Sequence, residues 1–382
     1  MPPMLTLQLP THVLFGSGAT ARLRLPSGPS LLVLSPSMPR AQLDPLLEDW
    51  HGCGHQLHLL YKPAGEPDSQ SVDNAWLGLS AAMRAELRSV LALGGGSVID
   101  FAKAIAVLAV NGGAIADYEF GARTIGSALP LFAIPTTCGS GSEVTPYAVV
   151  NNSITGRKFT LSHPALYPQE ALIDPELLVN MPIAVLRDTA LDAFTHCLEA
   201  LLNRQSAELV APWAEDGLHL AYRLIPRIGH APLAADDFAH LARLALWGGA
   251  SIASSRTGLI HTLSVAIARF SSHAHGLLNA SLLRHALAHN LPGYQGRLAQ
   301  VVHAMMTDTA APADDAEALR RLTAWLTGII GDVRPAEPEL LHQHRTALVD
   351  RLLQDKGLPA VSHGDINPST LDRLIGNIAH ET

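Results

Sequence analysis

Residues 91–100 read Leu91-Ala92-Leu93-Gly94-Gly95-Gly96-Ser97-Val98-Ile99-Asp100, an apolar run followed by three glycines and the start of a helical pattern. We predict a strand, a tight turn and a helix, in which Ser97 caps the helix and Asp100 completes the cap three residues later. Glycines allow a ligand to approach the backbone, and free amides at a helix start bind phosphate. A nucleotide site and a plain tight turn both fit, because these glycines lack the spacing of the Rossmann fingerprint.

The flanking segments alternate short apolar strands with helical patterns. Strands are predicted at residues 31–35, 56–60, 90–93, 131–134 and 171–173, and helices at residues 41–50, 71–87 and 98–108. Helices of this length between strands favour a parallel sheet with crossover connections. Residues 147–151 and 157–160, joined by a turn-rich segment, predict a β-hairpin beside that sheet.

Helical periodicity dominates the chain from Pro182 onward. Helices are predicted at residues 182–202, 207–224, 236–254, 259–270, 276–287 and 316–330, and residues 307–315 are predicted to form an exposed loop. The sequence therefore predicts two domains: an α/β domain over residues 1–181 with a Rossmann-like parallel sheet, and an all-helical domain over residues 182–382.

The composition is that of a globular protein, with 48% hydrophobic and 16% charged residues. The net charge of -8 argues against a nucleic-acid partner, which requires a basic surface. The three cysteines imply no disulfide framework and favour a reducing, cytoplasmic compartment. The first ten residues lack the pattern of a signal peptide, and no apolar run reaches the roughly 20 residues that cross a bilayer, so we expect no membrane association.

A second polar loop follows the predicted strand at residues 131–134. It reads Pro135-Thr136-Thr137-Cys138-Gly139-Ser140-Gly141-Ser142-Glu143 and offers several hydroxyl donors and two glycines. Ligands of open α/β sheets bind at the carboxyl ends of the strands. Two such loops after two strands of one sheet therefore favour a nucleotide site over plain connections.

Asp192 and His196 lie four residues apart in the helix predicted at residues 182–202. Side chains at this spacing share one helix face, so both can reach one ion. His261 and His275 each lie near the start of a later helix, and one carboxylate with three imidazoles is a ligand set suited to Fe(II) or Zn(II). The spacing alone does not select these two among nineteen histidines, and an Asp-x-x-x-His pair also occurs without a metal.

Together these segments resemble the iron-dependent, or group III, alcohol dehydrogenase family. Residues 94–103 are similar to the family's GGGSxxDxxK segment, and residues 135–145 to its PTTxGTGSEVT loop. Residues 191–198 follow in the same order, and His261 and His275 keep the family's spacing of fourteen. The likeness extends from about Phe15 to Leu287.

The resemblance implies a dehydroquinate synthase-like architecture and a metal held by Asp192, His196, His261 and His275. It implies that NAD(P)H contacts the two loops, with Lys158 beside it; the loop residues are Gly94, Gly95, Gly96, Ser97, Asp100, Thr136, Thr137 and Ser140. The implied reaction is hydride transfer between the nicotinamide and a small aldehyde or primary alcohol, with the metal as Lewis acid. A homodimer is also expected from the family.

Within the family, the chain is most similar to the phosphonoacetaldehyde (hydroxyethylphosphonate) reductase branch. The similarity lies in residues 158–168 and 174–177 and in Ser255-Arg256-Thr257. Arg256 can offer a paired hydrogen bond to a phosphonate, sulfonate or carboxylate. An ordinary ion pair is its alternative role.

Three departures from the family pattern bear on the chemistry. Val265 stands where many members have a second histidine for proton relay, which leaves water, the cofactor ribose or His273 to move the proton. Ser35-Pro36-Ser37 carries no carboxylate that would repel a 2′-phosphate, so NADPH is permitted and slightly favoured. The chain stops at Thr382, earlier than members typically do, so the end of the helical domain is expected to differ.

Three other functions fit parts of this pattern: a dehydrogenase of neutral short-chain alcohols, a dehydroquinate synthase-like lyase, and a catalytically silent homologue. The motifs of the lyase differ from residues 136–145 and from the Asp-x-x-x-His pair. Val265 and the early end of the chain are features that a silent homologue would tolerate.

Overall fold

The structure, a computed structural model, describes Leu7 and residues 9–204 and 208–380. The chain divides into two compact units, one comprising Leu9–Met181 and the other beginning at Pro182. The division falls where helical periodicity begins in the sequence. The predicted domains also include residues 1–6, 8, 205–207 and 381–382, which lie outside the described residues.

The first unit is built on a six-stranded parallel sheet with the strand order β1-β8-β5-β4-β2-β3. Its strands are β1 (His12–Phe15), β2 (Pro29–Leu34), β3 (Gln56–Tyr61), β4 (Ser89–Gly94), β5 (Leu131–Pro135) and β8 (Glu170–Ile173). The antiparallel pair β6 (Tyr147–Asn151) and β7 (Lys158–Ser162) forms the predicted hairpin. Strand β1 was not predicted, because four residues carry too little periodicity to be recognised.

Helices α1 (Arg40–Gly52), α2 (Ser69–Gly78), α3 (Ala81–Glu86) and α4 (Gly96–Asn111) connect these strands. The single helix predicted at residues 71–87 is wrong in one respect, since two helices occupy this segment. The hydroxyl of Ser80 accepts a hydrogen bond from the Met83 amide and starts the second helix as its N-cap.

Helix α4 fixes the position of the glycine turn. Ten of its sixteen residues are buried, and Ile99, Phe101 and Ile105 have no exposed surface, because the helix packs in the core beside the sheet. The helix begins at Gly96 with Gly95 as its N-cap, so the predicted cap at Ser97 is wrong. Gly94 pairs with Pro135 across β4 and β5, which brings the two polar loops to the same edge of the sheet.

Every regular element among the described residues of the second unit is a helix, which confirms the predicted fold class. Its helices are α5 (Ile183–Leu202), α6 (Ala211–Leu224), α7 (Ala235–Ser255), α8 (Leu259–Ile267), α9 (His275–Asn290), α10 (Arg297–Met305), α11 (Asp315–Ile330), α12 (Pro338–Gln343), α13 (Arg345–Leu353), α14 (Leu358–Val361) and α15 (Pro368–His380). The helix predicted from residue 207 begins at Ala211 after a short 3₁₀ turn, and residue 207 lies outside the described residues. Helices α10 and α12–α15 were not predicted; α10 and α12–α14 span nine residues or fewer, and α15 spans 13.

Among the described residues, no single helix combines the length and apolarity needed to span a membrane. Gly96–Asn111 and Ile115–Gly121 pass that test only as a pair bent by 100°.

Candidate functional site

The helical unit brings together the side chains predicted to bind a metal. Helix α5 carries Asp192 and His196 on one face, α8 carries His261, and α9 begins with His275. Three ring nitrogens converge on one carboxylate oxygen, since the Nε2 atoms of His261, His275 and His196 lie 3.4, 3.7 and 3.9 Å from Oδ1 of Asp192. One ligand atom each from Asp192, His261 and His275 lies within 4.8 Å of the others, a spacing that suits a single ion.

A glycine makes this convergence possible. A Cβ on Gly276 would collide with the carbonyl oxygen of Asp188 on α5. Only a residue without a side chain allows the first turn of α9 to approach α5 so closely. That approach places His275 beside Asp192.

The cluster is buried, and its charges shift the pKa values of its members. Asp192, His196 and His261 are each less than a tenth exposed. Burial lowers the pKa of His196 to about 4, so this ring is neutral at pH 7, as a metal ligand must be. Burial would raise the pKa of Asp192, but the charges of His196 and His275 outweigh it and lower that pKa below its usual range.

Glu199 is a residue of this site that the sequence analysis missed. Its Oε2 accepts hydrogen bonds from Nδ1 of His261 at 2.7 Å and from the Gly258 amide at 2.8 Å, and its Oε1 accepts one from the Ile260 amide at 2.6 Å. Burial lowers the pKa of His261, but Glu199 outweighs this and raises it to about 9, so a metal ion must displace a proton. A carboxylate behind a ligating histidine fixes its orientation. The spacing of residues 192, 196 and 199 on one helix face was the available signal.

Asn279 is a second missed residue. It lies on α9, four residues after His275, and has no exposed surface. Its Nδ2 lies 2.9 Å from Oδ1 of Asp192. The same spacing of four that connects Asp192 with His196 could have indicated it from the sequence.

In the α/β unit, the two loops predicted to bind a cofactor lie against each other. A Cβ on Gly95 would lie 2.9 Å from a methyl carbon of Thr137, and one on Gly96 would collide with Oγ of Ser140. The Thr136 amide also donates to the carbonyl of Gly94 at 3.1 Å. The glycines thus allow the hydroxyl loop to pack on the first turn of α4, beside backbone amides suited to an anion.

Asp100 and Lys158 have partners within the unit. Asp100 does not cap its helix as predicted; its carboxylate accepts from Oγ of Ser142 at 2.6 Å and from the Val149 amide at 3.0 Å. The reason is that α4 starts two residues earlier than expected, which directs Asp100 toward the hydroxyl loop. Nζ of Lys158 lies 2.6 Å from Oε1 of Glu66.

Arg256 and His273 are not part of the donor cluster. Arg256 ends α7 with a φ of 64°. Its side chain is 59% exposed, and its guanidinium lies 3.9 Å from a carboxylate oxygen of Asp355. Nε2 of His273 lies 2.9 Å from the carbonyl oxygen of Arg334. Among the residues that the structure describes, neither side chain contacts any of the four predicted metal ligands.

Comparison with known proteins finds matches over both units of the chain. The family described as iron-containing alcohol dehydrogenase matches residues 10–175, and the C-terminal pattern of the Fe-containing alcohol dehydrogenase family matches residues 187–358. Choline dehydrogenase of Bacillus subtilis is 28% identical over 337 residues, which is 86% of this chain and 83% of that protein.

Solved structures share the fold over the whole chain. Iron-containing alcohol dehydrogenase from Thermococcus thioreducens has a TM-score of 0.85 at 23% identity, covering 99% of this chain and 100% of its own. Sulfoacetaldehyde reductase from Bifidobacterium kashiwanohense, solved with NAD+, has a TM-score of 0.84 at 20% identity and covers 100% of both chains. Since the two family patterns account for both units of the molecule, the chain belongs to the iron-containing alcohol dehydrogenase family.

Proposed function

We propose that the protein is a metal-dependent reductase that transfers hydride from NAD(P)H to a small aldehyde, and that works in reverse on the primary alcohol. The observation that carries this proposal is the convergence of three imidazole nitrogens on Oδ1 of Asp192. Membership of a family of oxidoreductases supports it. Fe(II) is the proposed metal, with Zn(II) as the alternative, since both suit a set of nitrogen and oxygen ligands.

When bound, the metal ion supplies Lewis-acid stabilisation of the negative charge that develops on the substrate oxygen. The residues of this chain hold the site in shape for that chemistry. Glu199 accepts the Nδ1 proton of His261, which leaves Nε2 facing the other donors. Oγ of Ser264 lies 3.2 Å from Nδ1 of His275 and orients that ring in the same way.

The glycine turn and the hydroxyl loop form the proposed cofactor site. Free amides at the start of α4 suit the pyrophosphate, and the threonine and serine hydroxyls supply further donors. Oγ of Ser35 and Oγ of Ser37 lie 2.7 Å apart just after β2 and bring no negative charge to that position. A 2′-phosphate is therefore not repelled there, and NADPH is proposed alongside NADH.

The proton is proposed to come from water or from the cofactor ribose. Val265 cannot carry a proton, and it occupies the helical position four residues after His261. The contact between His273 and the carbonyl of Arg334 gives that ring a partner outside the donor cluster, so His273 is the weaker candidate for a relay.

The proposed substrate is an aldehyde with an anionic group, such as phosphonoacetaldehyde. The sequence resemblance to the phosphonoacetaldehyde reductase branch supports this, and the reductase with the same fold acts on sulfoacetaldehyde. Arg256 supplies an exposed guanidinium whose nearest described carboxylate, on Asp355, lies at the long distance of 3.9 Å. A dianionic group could compete for it through paired hydrogen bonds.

We expect Arg256→Ala to raise the KM for phosphonated, sulfonated and carboxylated aldehydes by roughly ten-fold, because a hydrogen bond to a charged group contributes about 1.5–3 kcal/mol. The KM for neutral aldehydes should change little. The measurement is NADH and NADPH oxidation by protein loaded with Fe(II) or Zn(II), across neutral and anionic aldehydes, with the exposed Arg320→Ala as the matched control.

Each alternative function predicts a different result in that screen. Equal changes of KM for neutral and anionic aldehydes would leave a dehydrogenase of neutral short-chain alcohols. No oxidation of either cofactor with any aldehyde, under either metal, would refute the proposal in favour of a lyase or a silent homologue.

A further inference from the structure

Asn279 lies among the atoms that converge in the helical unit. Its Nδ2 is 2.9 Å from Oδ1 of Asp192, 3.1 Å from Nε2 of His261 and 3.3 Å from Nε2 of His275. Its side chain has no exposed surface. One end of the amide thus faces the same three side chains that offer ligand atoms to an ion.

The two ends of this amide have unequal surroundings. The nitrogen carries two hydrogens but has three polar neighbours, so it cannot donate to all of them. The oxygen is buried and has no hydrogen-bond partner among the described residues. A rotation of half a turn about the Cβ–Cγ bond exchanges nitrogen and oxygen without changing the shape of the side chain.

A cation in this cluster decides between the two orientations. An ion held by Asp192, His261 and His275 would lie beside the end of the amide that faces these three side chains. The amide nitrogen has no lone pair to offer a cation, whereas the amide oxygen is an ordinary ligand. The metal-loaded state therefore requires the oxygen at this end.

We propose that Asn279 is a further metal ligand of this site, whose amide oxygen turns toward the ion when the metal binds. This inference rests on the metal-binding part of the proposed function. It extends the set of side-chain ligands from four to five, with two oxygens and three nitrogens. In the orientation that the structure shows, the amide nitrogen instead donates a hydrogen bond to Oδ1 of Asp192.

A fifth side-chain ligand bears on which metal the site selects. Zn(II) in proteins is almost always bound by four ligands or by three with water, in a tetrahedral arrangement. Fe(II) and Co(II) accept higher coordination numbers and a greater share of oxygen ligands. Asn279 consequently favours Fe(II) over Zn(II).

The test uses the full-length protein, first freed of metal and then titrated without oxygen with Fe(II), Co(II) or Zn(II) against a competing chelator. Asn279→Leu removes both amide atoms at similar volume, and Asn279→Asp keeps an oxygen ligand but loses the N–H donor. Asn290→Leu is the matched control, because Asn290 is a buried asparagine at the end of the same helix that accepts from Ser362 and Gly364 instead. The visible spectrum of bound Co(II) reports the coordination number, and circular dichroism reports folding.

We expect Asn279→Leu to weaken Fe(II) and Co(II) binding by on the order of ten-fold or more, and Zn(II) binding less. The Co(II) bands should intensify as the coordination number falls, while Asn279→Asp and Asn290→Leu retain Fe(II). Fe(II) binding by Asn279→Leu that equals or exceeds wild type, or an unaltered Co(II) spectrum, would overturn this inference alone. Failure of the wild-type protein to bind any of the three metals would overturn the proposed function with it.

Discussion

Each unit of the molecule buries a cluster of ionisable side chains, and the two clusters differ in how their polar atoms are satisfied. In the α/β unit, Nζ of Lys103 lies 2.7–2.9 Å from four acceptors, the carbonyls of Ser142, Thr145 and Tyr147 and the hydroxyl of Ser142. An ammonium group has three protons, so none lacks an acceptor. This cluster ties α4 to the hydroxyl loop.

In the cluster of the helical unit, by comparison, the set of hydrogen bonds is incomplete. Three ring nitrogens and a carboxylate oxygen face one another, and the buried Nδ1 of His196 and Oδ1 of Asn279 have no hydrogen-bond partner among the described residues. A buried polar group without a partner destabilises a fold, and turning the Asn279 amide so that its oxygen faces an ion would give that oxygen a partner. The satisfied charge of Lys103 therefore fits a structural role, and the converging ligand atoms around Asp192 fit a binding site.

The largest effect should follow from removing one donor of the incomplete cluster. His275→Ala is expected to lower metal affinity and aldehyde reduction by more than about 100-fold, because it deletes a ligand rather than a group behind one. Cofactor binding and the free energy of unfolding of the metal-free protein should change little, since this side chain is 36% exposed. Metal content, turnover and NAD(P)H titration measure the three quantities, with the exposed His303→Ala as control. Full activity in His275→Ala would contradict the assignment of the metal site.

Lys103→Met should lower the free energy of unfolding and leave metal affinity intact, the reverse of what is expected for His275→Ala. The substitution leaves buried carbonyls without their donor. Removing a buried charged partner lowers the free energy of unfolding by about 3–5 kcal/mol. The metal affinity of the helical unit should remain that of wild type. Urea denaturation measures the loss, and the exposed Lys356→Met serves as the control. A loss below about 1 kcal/mol would show that the satisfied cluster does not hold the loop.

The smallest effect concerns a buried histidine outside both clusters. His285 lies on α9, the helix that also carries His275, and its Nε2 accepts a hydrogen bond from Nε of Arg284 at 3.3 Å. Burial, and then the charge of Arg284, lower the pKa of His285 from 6.5 to about 4. The folded protein therefore keeps this ring neutral at pH values where the unfolded chain protonates it.

The sign of the effect follows from that depressed pKa. The contribution to stability is complete above pH 6.5 and is lost as the pH falls from about 6.5 to about 4, at a total cost on the order of 3 kcal/mol. His285→Gln should remove this part of the acid sensitivity and leave metal binding at pH 7 unchanged. Unfolding curves measured between pH 4 and 7 check it, against the exposed His303→Gln. Identical pH profiles for His285→Gln and wild type would exclude this origin of acid sensitivity.

The predicted metal ligands and their partners illustrate how far residue patterns reach. Helical spacing placed Asp192 and His196 on one face, and resemblance selected His261 and His275. Glu199 and Asn279 were missed because a polar residue on a helix has many ordinary explanations until its neighbours are known. Their roles depend on atoms up to 87 positions away in the chain, as with Asn279 and Asp192.

The glycine turn shows a related limit. Its strand, turn and helix were predictable from the order of apolar residues and glycines, but the start of α4 was misplaced by two residues. The packing of Ser140 against Gly96 is long-range in sequence, so a local capping rule could not include it. As a consequence, the role of Asp100 changed from a helix cap to a contact with the hydroxyl loop.

The sequence by itself determined the fold class, the alternation of strands and helices, and the residue types able to bind a metal and a nucleotide. These follow from local spacing and composition, which a linear chain expresses directly. Only the tertiary structure decided which buried polar groups have hydrogen-bond partners, because those partners come from segments far apart in the chain. Gly276 is an example: its neighbours in sequence do not show why a side chain is excluded there, but the contact of α9 with α5 does.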